Sequence, residues 1–181
     1  MRKINEIFYS LQGEGFYVGT PAVFVRFSGC NLSCHFCDTL HASGIYMTDE
    51  AILQEVMKYP SEMVILTGGE PSMFIDEKFV DMLHQVGKYV CIETNGAFAL
   101  PDNLDWITCS PKEGCEVVLA RMDELKLVYL GQDIIPFESM PACHFFLQPC
   151  SGKNIPETVQ AVLEHPKWRL SLQTHKILNI Q

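Results

Sequence analysis

From residue 22 to residue 165, short apolar runs that stop at glycine or a polar pair alternate with stretches of helical spacing. The runs are AVFVRF at residues 22–27, MVILTGGEP at 63–71, YVCIETNG at 89–96, LDWITCSPK at 104–112, ELKLVYLG at 124–131 and HFFLQPCSG at 144–152. Continuous apolar character over so few residues predicts strands buried on both faces, as in a parallel sheet. Thr48 followed by Asp49 and Glu50 reads as an N-cap opening a helix that ends near Pro60, and residues 76–86 and 156–165 read as helices too. An earlier run, residues 4–15, alternates and ends at Gly13 and Gly15, which predicts a strand entering a turn with close backbone approach.

Strand, turn and helix alternating in this way imply an α/β fold with right-handed crossovers and the functional polar residues on one rim. A complete eightfold barrel takes about 250 residues. With 181 residues, the expectation is a single domain over residues 1–181, a partial parallel β/α TIM-type barrel of about six strands. Residues 95–104 and 115–123 are too short for full helices, so the outer ring should be incomplete.

An apolar fraction of 48% and a charged fraction of 19% suit a globular chain, and a formal charge of −9 argues against a general nucleic-acid surface. A small-molecule substrate is expected instead. The start of the chain lacks the apolar core of a signal peptide, and no apolar run is long enough to span a bilayer, which predicts a cytoplasmic protein. Of eight cysteines, five (Cys91, Cys109, Cys115, Cys143 and Cys150) are irregularly spaced, and each is expected to be a buried small hydrophobe.

The other three set the chemistry. Cys30, Cys34 and Cys37 form a C-x3-C-x2-C loop, GCNLSCHFCDT, that can turn three sulfurs toward an inorganic centre. A four-iron cubane held by three thiolates keeps one iron open to a small molecule. Structural zinc would need a fourth N or S ligand, and no second C-x2-C follows; a disulfide framework does not suit a reducing compartment. Arg26, inside an apolar strand, calls for a carboxylate partner or for solvent. Gly68 and Gly69 expose backbone at a strand end, and Glu70 beside them offers an acceptor suited to an ammonium group. Lys126 is a charge in an apolar run, with a salt bridge to an acidic neighbour as the plain explanation.

The cysteine loop with Phe36 before its last cysteine, followed about thirty residues later by GGEP, resembles the radical S-adenosylmethionine superfamily. Within it, LQGEG at residues 11–15, FVR ending at Arg26, CDT at 37–39, ETNG at 93–96, SPK at 110–112 and the closing WRLSLQTHKILNI resemble the 7-carboxy-7-deazaguanine synthase family nearly end to end. The resemblance implies conversion of 6-carboxy-5,6,7,8-tetrahydropterin to 7-carboxy-7-deazaguanine with loss of ammonia, in queuosine or other 7-deazapurine biosynthesis. It implies a 4Fe-4S cluster on Cys30, Cys34 and Cys37, and magnesium bound by Thr39. Substrate contacts would come from Leu11, Gln12, Gly13, Arg26 and Thr94. S-adenosylmethionine would be met by Phe36, Cys37 and Asp38, by Gly69, Glu70 and Gly96, and by Ser110, Pro111, Lys112 and Gln148. An electron donor such as flavodoxin and a homodimeric state also follow from it. A glycyl-radical activase of the same superfamily shares the loop but leaves LQGEG, Arg26 and CDT unexplained; an electron-transfer or zinc module is the alternative of another class.

Overall fold

The computed structural model describes residues 1–37, 39 and 43–181. Seven strands run parallel in the order β2 (Pro21–Phe27), β4 (Met63–Gly68), β5 (Tyr89–Thr94), β6 (Trp106–Cys109), β7 (Met122–Tyr129), β8 (Ala142–Pro149) and the two-residue β9 (Arg169–Leu170). Six of these are the strands expected from the apolar runs. The long β1 (Arg2–Leu11) adds antiparallel to β2, and the short β3 (Ile45–Met47) pairs with β1 at the edge, so the sheet is open.

Side chains alternate across each strand, which sorts the core into two layers. Val23, Val25, Val64, Leu66, Val90, Ile92, Ile107, Leu125 and Leu147 face outward under the helices α1 (Asp49–Val56), α2 (Glu77–Gln85) and α3 (Ile155–Glu164). Phe8, Phe24, Ile65 and Cys91 face inward in a smaller cluster. The helices begin where the caps predict: the Thr48 hydroxyl accepts the Ala51 N–H at 3.2 Å, and the Asp76 carboxylate accepts that of Phe79 at 2.9 Å. Residues 95–104 and 115–123 carry no helix, so the outer ring is incomplete as expected.

The sheet is strongly curled. Five strand spacings separate β1 from β7 in sheet order, roughly 24 Å if flat, yet Glu14, three residues beyond the end of β1, bonds Lys126 on β7 at 2.8 Å. The turn at residues 12–20 therefore folds back into the half-barrel and floors its lumen. Within it, Phe16 packs tilted and Tyr17 edge-on against Trp106, and Phe16 also meets His144. α4 (Thr174–Leu178) and the residues after it close the same side: the Thr174 N–H donates to the Gly13 carbonyl at 2.9 Å, and the Gln181 side-chain amide donates to Glu6 at 2.7 Å. The expectation for the scattered cysteines needs correction. Cys91 and Cys109 are buried, but Cys115 and Cys150 are half-buried and Cys143 is exposed. Cys143 sits near the start of β8, where full burial begins only at Phe145.

Candidate active site

A cavity of about 720 Å³ opens at the C-terminal ends of the parallel strands, where such folds place ligands. At its mouth lie Cys30, Cys34 and Cys37, in the loop that follows β2. That loop is seated on the turn after β4: Gly69 and Glu70 donate backbone N–H groups to the carbonyls of Phe27 and Gly29 at 3.1 and 2.8 Å. A side chain at Gly68 or Gly69 would run into the Phe27 or Gly29 backbone, which is why two glycines stand there. Asn95, at the end of β5, holds the loop from the other side through Asn31 at 2.9 Å.

The three sulfurs share one patch of field. Burial pushes the Cys30 thiol above its ordinary value; the Leu32 N–H partly offsets this, and the Glu70 carboxylate with Cys34 and Cys37 adds to it. A cationic centre is what would draw such thiols into thiolates. Among the described residues, no three His, Cys, Asp or Glu side chains, the three cysteines included, are gathered as the shell of a metal ion. Three cysteines free of disulfides line the cavity, a number that would leave one iron of a four-iron cluster open.

Glu70 sits 1% exposed with its carboxylate engaged. One oxygen accepts from Ser72 N–H at 3.1 Å, the Ser72 hydroxyl at 2.6 Å and the Thr94 hydroxyl at 2.6 Å; the other accepts from Asn95 N–H at 2.7 Å. Glu70 thus clamps the ends of β4 and β5 together. Thr94 spends its hydroxyl on this clamp and on accepting the Gly96 N–H at 3.1 Å. Along the far rim, Lys112 donates to the Ser110 carbonyl and hydroxyl at 2.6 and 2.9 Å, and burial lowers its pKa. Gln148 accepts from Ser171 at 3.1 Å.

Arg26 projects from β2 into the cavity above the Phe8 ring. Its Nε is paired with Glu6 on β1 at 2.7 Å, which orients the guanidinium. Facing it is a buried cluster of charge. Lys126, 4% exposed, bonds Glu14 and Glu93, each at 2.8 Å, and Gln12 donates to Glu93 at 3.1 Å. Burial works against the Lys126 ammonium, but the carboxylates of Glu14, Glu93 and Glu124 outweigh it and raise its pKa. Burial likewise works to raise Glu14, yet Lys126 wins and holds its carboxyl at about 2.

Of the residues expected at the site, Leu11, Gln12, Gly13, Arg26 and Thr94 line the cavity together with the cysteines, Phe36 and Thr39. Gly69, Glu70, Ser110, Lys112 and Gln148 line it as well. Gly96 and Pro111 do not: Gly96 faces Cys109 and Val117, and Pro111 is buried behind the rim. Asp38 lies outside the described residues. Sequence reasoning missed Thr67, Glu14 and Glu93 as wall and floor. The signal was present in Glu93 and Lys126, charges at inward positions of otherwise apolar strands.

The Radical SAM superfamily matches residues 24–165, a span holding the cysteine loop, the GGEP turn and every parallel strand but β9 except for the first residues of β2. Over 181 residues, all of both chains, the sequence is 65% identical to the 7-carboxy-7-deazaguanine synthase of Bacteroides thetaiotaomicron. The chain belongs to the 7-carboxy-7-deazaguanine synthase family. A second relative of that name, from Bradyrhizobium diazoefficiens, is 42% identical over 206 residues with 98% of each chain covered. The crystal structure of QueE from Escherichia coli superposes with a TM-score of 0.81 at 28% identity, covering 95% of this chain and 93% of the other. Family membership makes this a radical SAM enzyme and disfavours the activase reading. Among the described residues, no helix is long and apolar enough to cross a membrane.

Proposed function

We propose that this protein converts 6-carboxy-5,6,7,8-tetrahydropterin to 7-carboxy-7-deazaguanine with loss of ammonia, in the cytoplasm and on the way to queuosine or another 7-deazapurine. The observation that carries the reading is one cavity lined by three cysteines free of disulfides, by the Arg26 guanidinium that Glu6 orients and by a carboxylate-rich floor. An anionic group and an edge of N–H donors on one small molecule meet complementary partners there.

Cys30, Cys34 and Cys37 would hold a 4Fe-4S cluster, with S-adenosylmethionine along Phe36, Gly69 and the Ser110–Lys112 rim. Bound there and reduced by an external electron donor, these groups would supply a hydrogen-abstracting adenosyl radical. This chain's own side chains do the rest. Arg26 takes the substrate carboxylate through its η nitrogens. Thr39 offers a hard oxygen for magnesium beside that carboxylate, as few protein ligands suffice for this ion. Gln12, Glu14 and Glu93 receive the N–H edge of the pterin, held in place by Lys126. Gln173, His175, Lys176, Ile180 and Gln181 line the same cavity. An electron donor of the flavodoxin type and a homodimeric state complete the reading; a 20.5 kDa species by light scattering would contradict the dimer.

Anaerobic reconstitution tests the reaction. With S-adenosylmethionine, reductant, magnesium and the carboxypterin, mass spectrometry should find 5'-deoxyadenosine and 7-carboxy-7-deazaguanine together. Deoxyadenosine without the deazaguanine would reject the substrate and keep the radical chemistry.

A further inference from the structure

Below the cavity floor lies a carboxyl group that the reaction outlined above does not use. Glu124 projects inward from β7, 2% exposed, in register with Thr108 on β6 and His144 on β8. Its Oε2 accepts the Phe16 N–H at 3.0 Å, while its Oε1 is buried without a hydrogen-bond partner. Gly15, with φ +65°, lies directly against that carboxylate and leaves no room there for a side chain. The charged and titratable groups facing Glu124 are Lys126 on its own strand, Glu93 and Cys91 from β5, Glu14 from the turn, and His144 from β8. Lys126 is already shared between Glu14 and Glu93.

An ionised carboxylate concentrates charge on both oxygens and calls for donors at each; a buried oxygen with none is costly, and far costlier charged than neutral. With Glu124 ionised, this cluster of three carboxylates and one ammonium would hold a net charge of −2 out of water; with Glu124 protonated it holds −1. We propose that Glu124 is a positioning residue for the substrate turn and works as a carboxylic acid, setting Gly15 and Phe16 while keeping the cavity floor at a single net negative charge. One negative charge suits the donor edge of a neutral pterin, whereas a second would repel the carboxylate that the same molecule carries. Burial, opposed by Lys126 and reinforced by Glu93 and Glu14, pushes the Glu124 pKa up to about 7, so the proton is lost as pH rises through neutrality.

The kinetic part of this inference rests on the reaction proposed above; the protonation state does not. Infrared difference spectra of the reconstituted holoenzyme between about pH 6 and pH 9 should show a carboxylic-acid carbonyl band that disappears on raising the pH and is missing from Glu124→Gln. In steady state, the wild-type KM for the carboxypterin should rise across that interval. Glu124→Gln, neutral throughout, should flatten that rise, and Glu124→Ala should raise KM at every pH because the Phe16 N–H loses its acceptor. Should Glu124→Gln fail to fold, Glu124→Asp serves, and the band must move in it. A band unchanged in these variants, or the same pH dependence of KM in wild type and Glu124→Gln, overturns the proposal. Absence of deazaguanine from every protein, with the band behaving as described, would instead reject the substrate.

Discussion

Replacing Lys126 by Met keeps most of the side-chain volume and removes the one ammonium that serves both floor carboxylates. Two acidic groups, their side chains 17% and 20% exposed, are then left without their cation. Breaking a buried pair by deleting one partner costs about 3–5 kcal/mol, because the remaining charge stays desolvated. The Glu14 carboxyl supports that size: it stands at about 2 against an ordinary 4.5, and that difference is worth roughly 3 kcal/mol at 1.36 kcal/mol per unit. At 2–4 °C per kcal/mol for a chain of this size, the melting temperature should fall by roughly 6–12 °C at pH 7.

The pH dependence gives the reasoning a second hold. A depressed carboxyl contributes its full stabilisation above the unfolded value, and the contribution is lost as pH falls through the folded value. The gap between wild type and Lys126→Met should therefore be widest above pH 4.5 and close toward pH 2. Differential scanning calorimetry across that range measures it, with Lys126→Met, Glu14→Gln as the companion. One orphaned carboxylate is gone from that double variant, so roughly half of the loss should return. A single variant melting within about 2 °C of wild type at pH 7, or a double variant less stable than the single, would refute the account of the floor as a charge-compensated unit.

Two further outcomes follow from the same geometry. Gly15→Ala must adopt a left-handed backbone conformation and press a methyl group against Glu124; it should lose about 1–3 kcal/mol of stability in denaturant titration, and loss within error of zero would show that the turn relaxes freely. Arg26→Lys keeps the charge but loses the fork that Glu6 orients; KM for the carboxypterin should rise roughly tenfold with iron content unchanged, and an unaltered KM would mean that Arg26 does not hold the carboxylate.

Much of the site was readable in the chain because its determinants are local. Three cysteines within eight residues meet whatever the rest of the fold does, since a short loop cannot carry them far apart. The paired glycines after β4 report a close backbone approach, and Thr48 and Asp76 start their helices through bonds to residues three positions on. Alternating strands and helices of these lengths admit little besides a parallel sheet with its polar ends on one rim.

What needed the tertiary structure is the set of contacts made across the lumen. Glu70, readable as an acceptor for a ligand amine, turns out to spend its carboxylate tying β4 to β5, because parallel pairing of these neighbouring strands sets Thr94 and Asn95 beside it. Gly96 shares the ETNG run with Glu93, yet Glu93 sits on β5 and reaches the floor, whereas Gly96 lies in the turn beyond the strand, against Cys109. Glu14, Glu93, Glu124 and Lys126 come from three places in the chain, and nothing in their spacing announces that they meet. They meet because a half-barrel of this curvature leaves a space that the turn at residues 12–20 fills. Ions of both signs are stable in that space only together, so the charge of the floor is a property of the assembled fold and of no single segment.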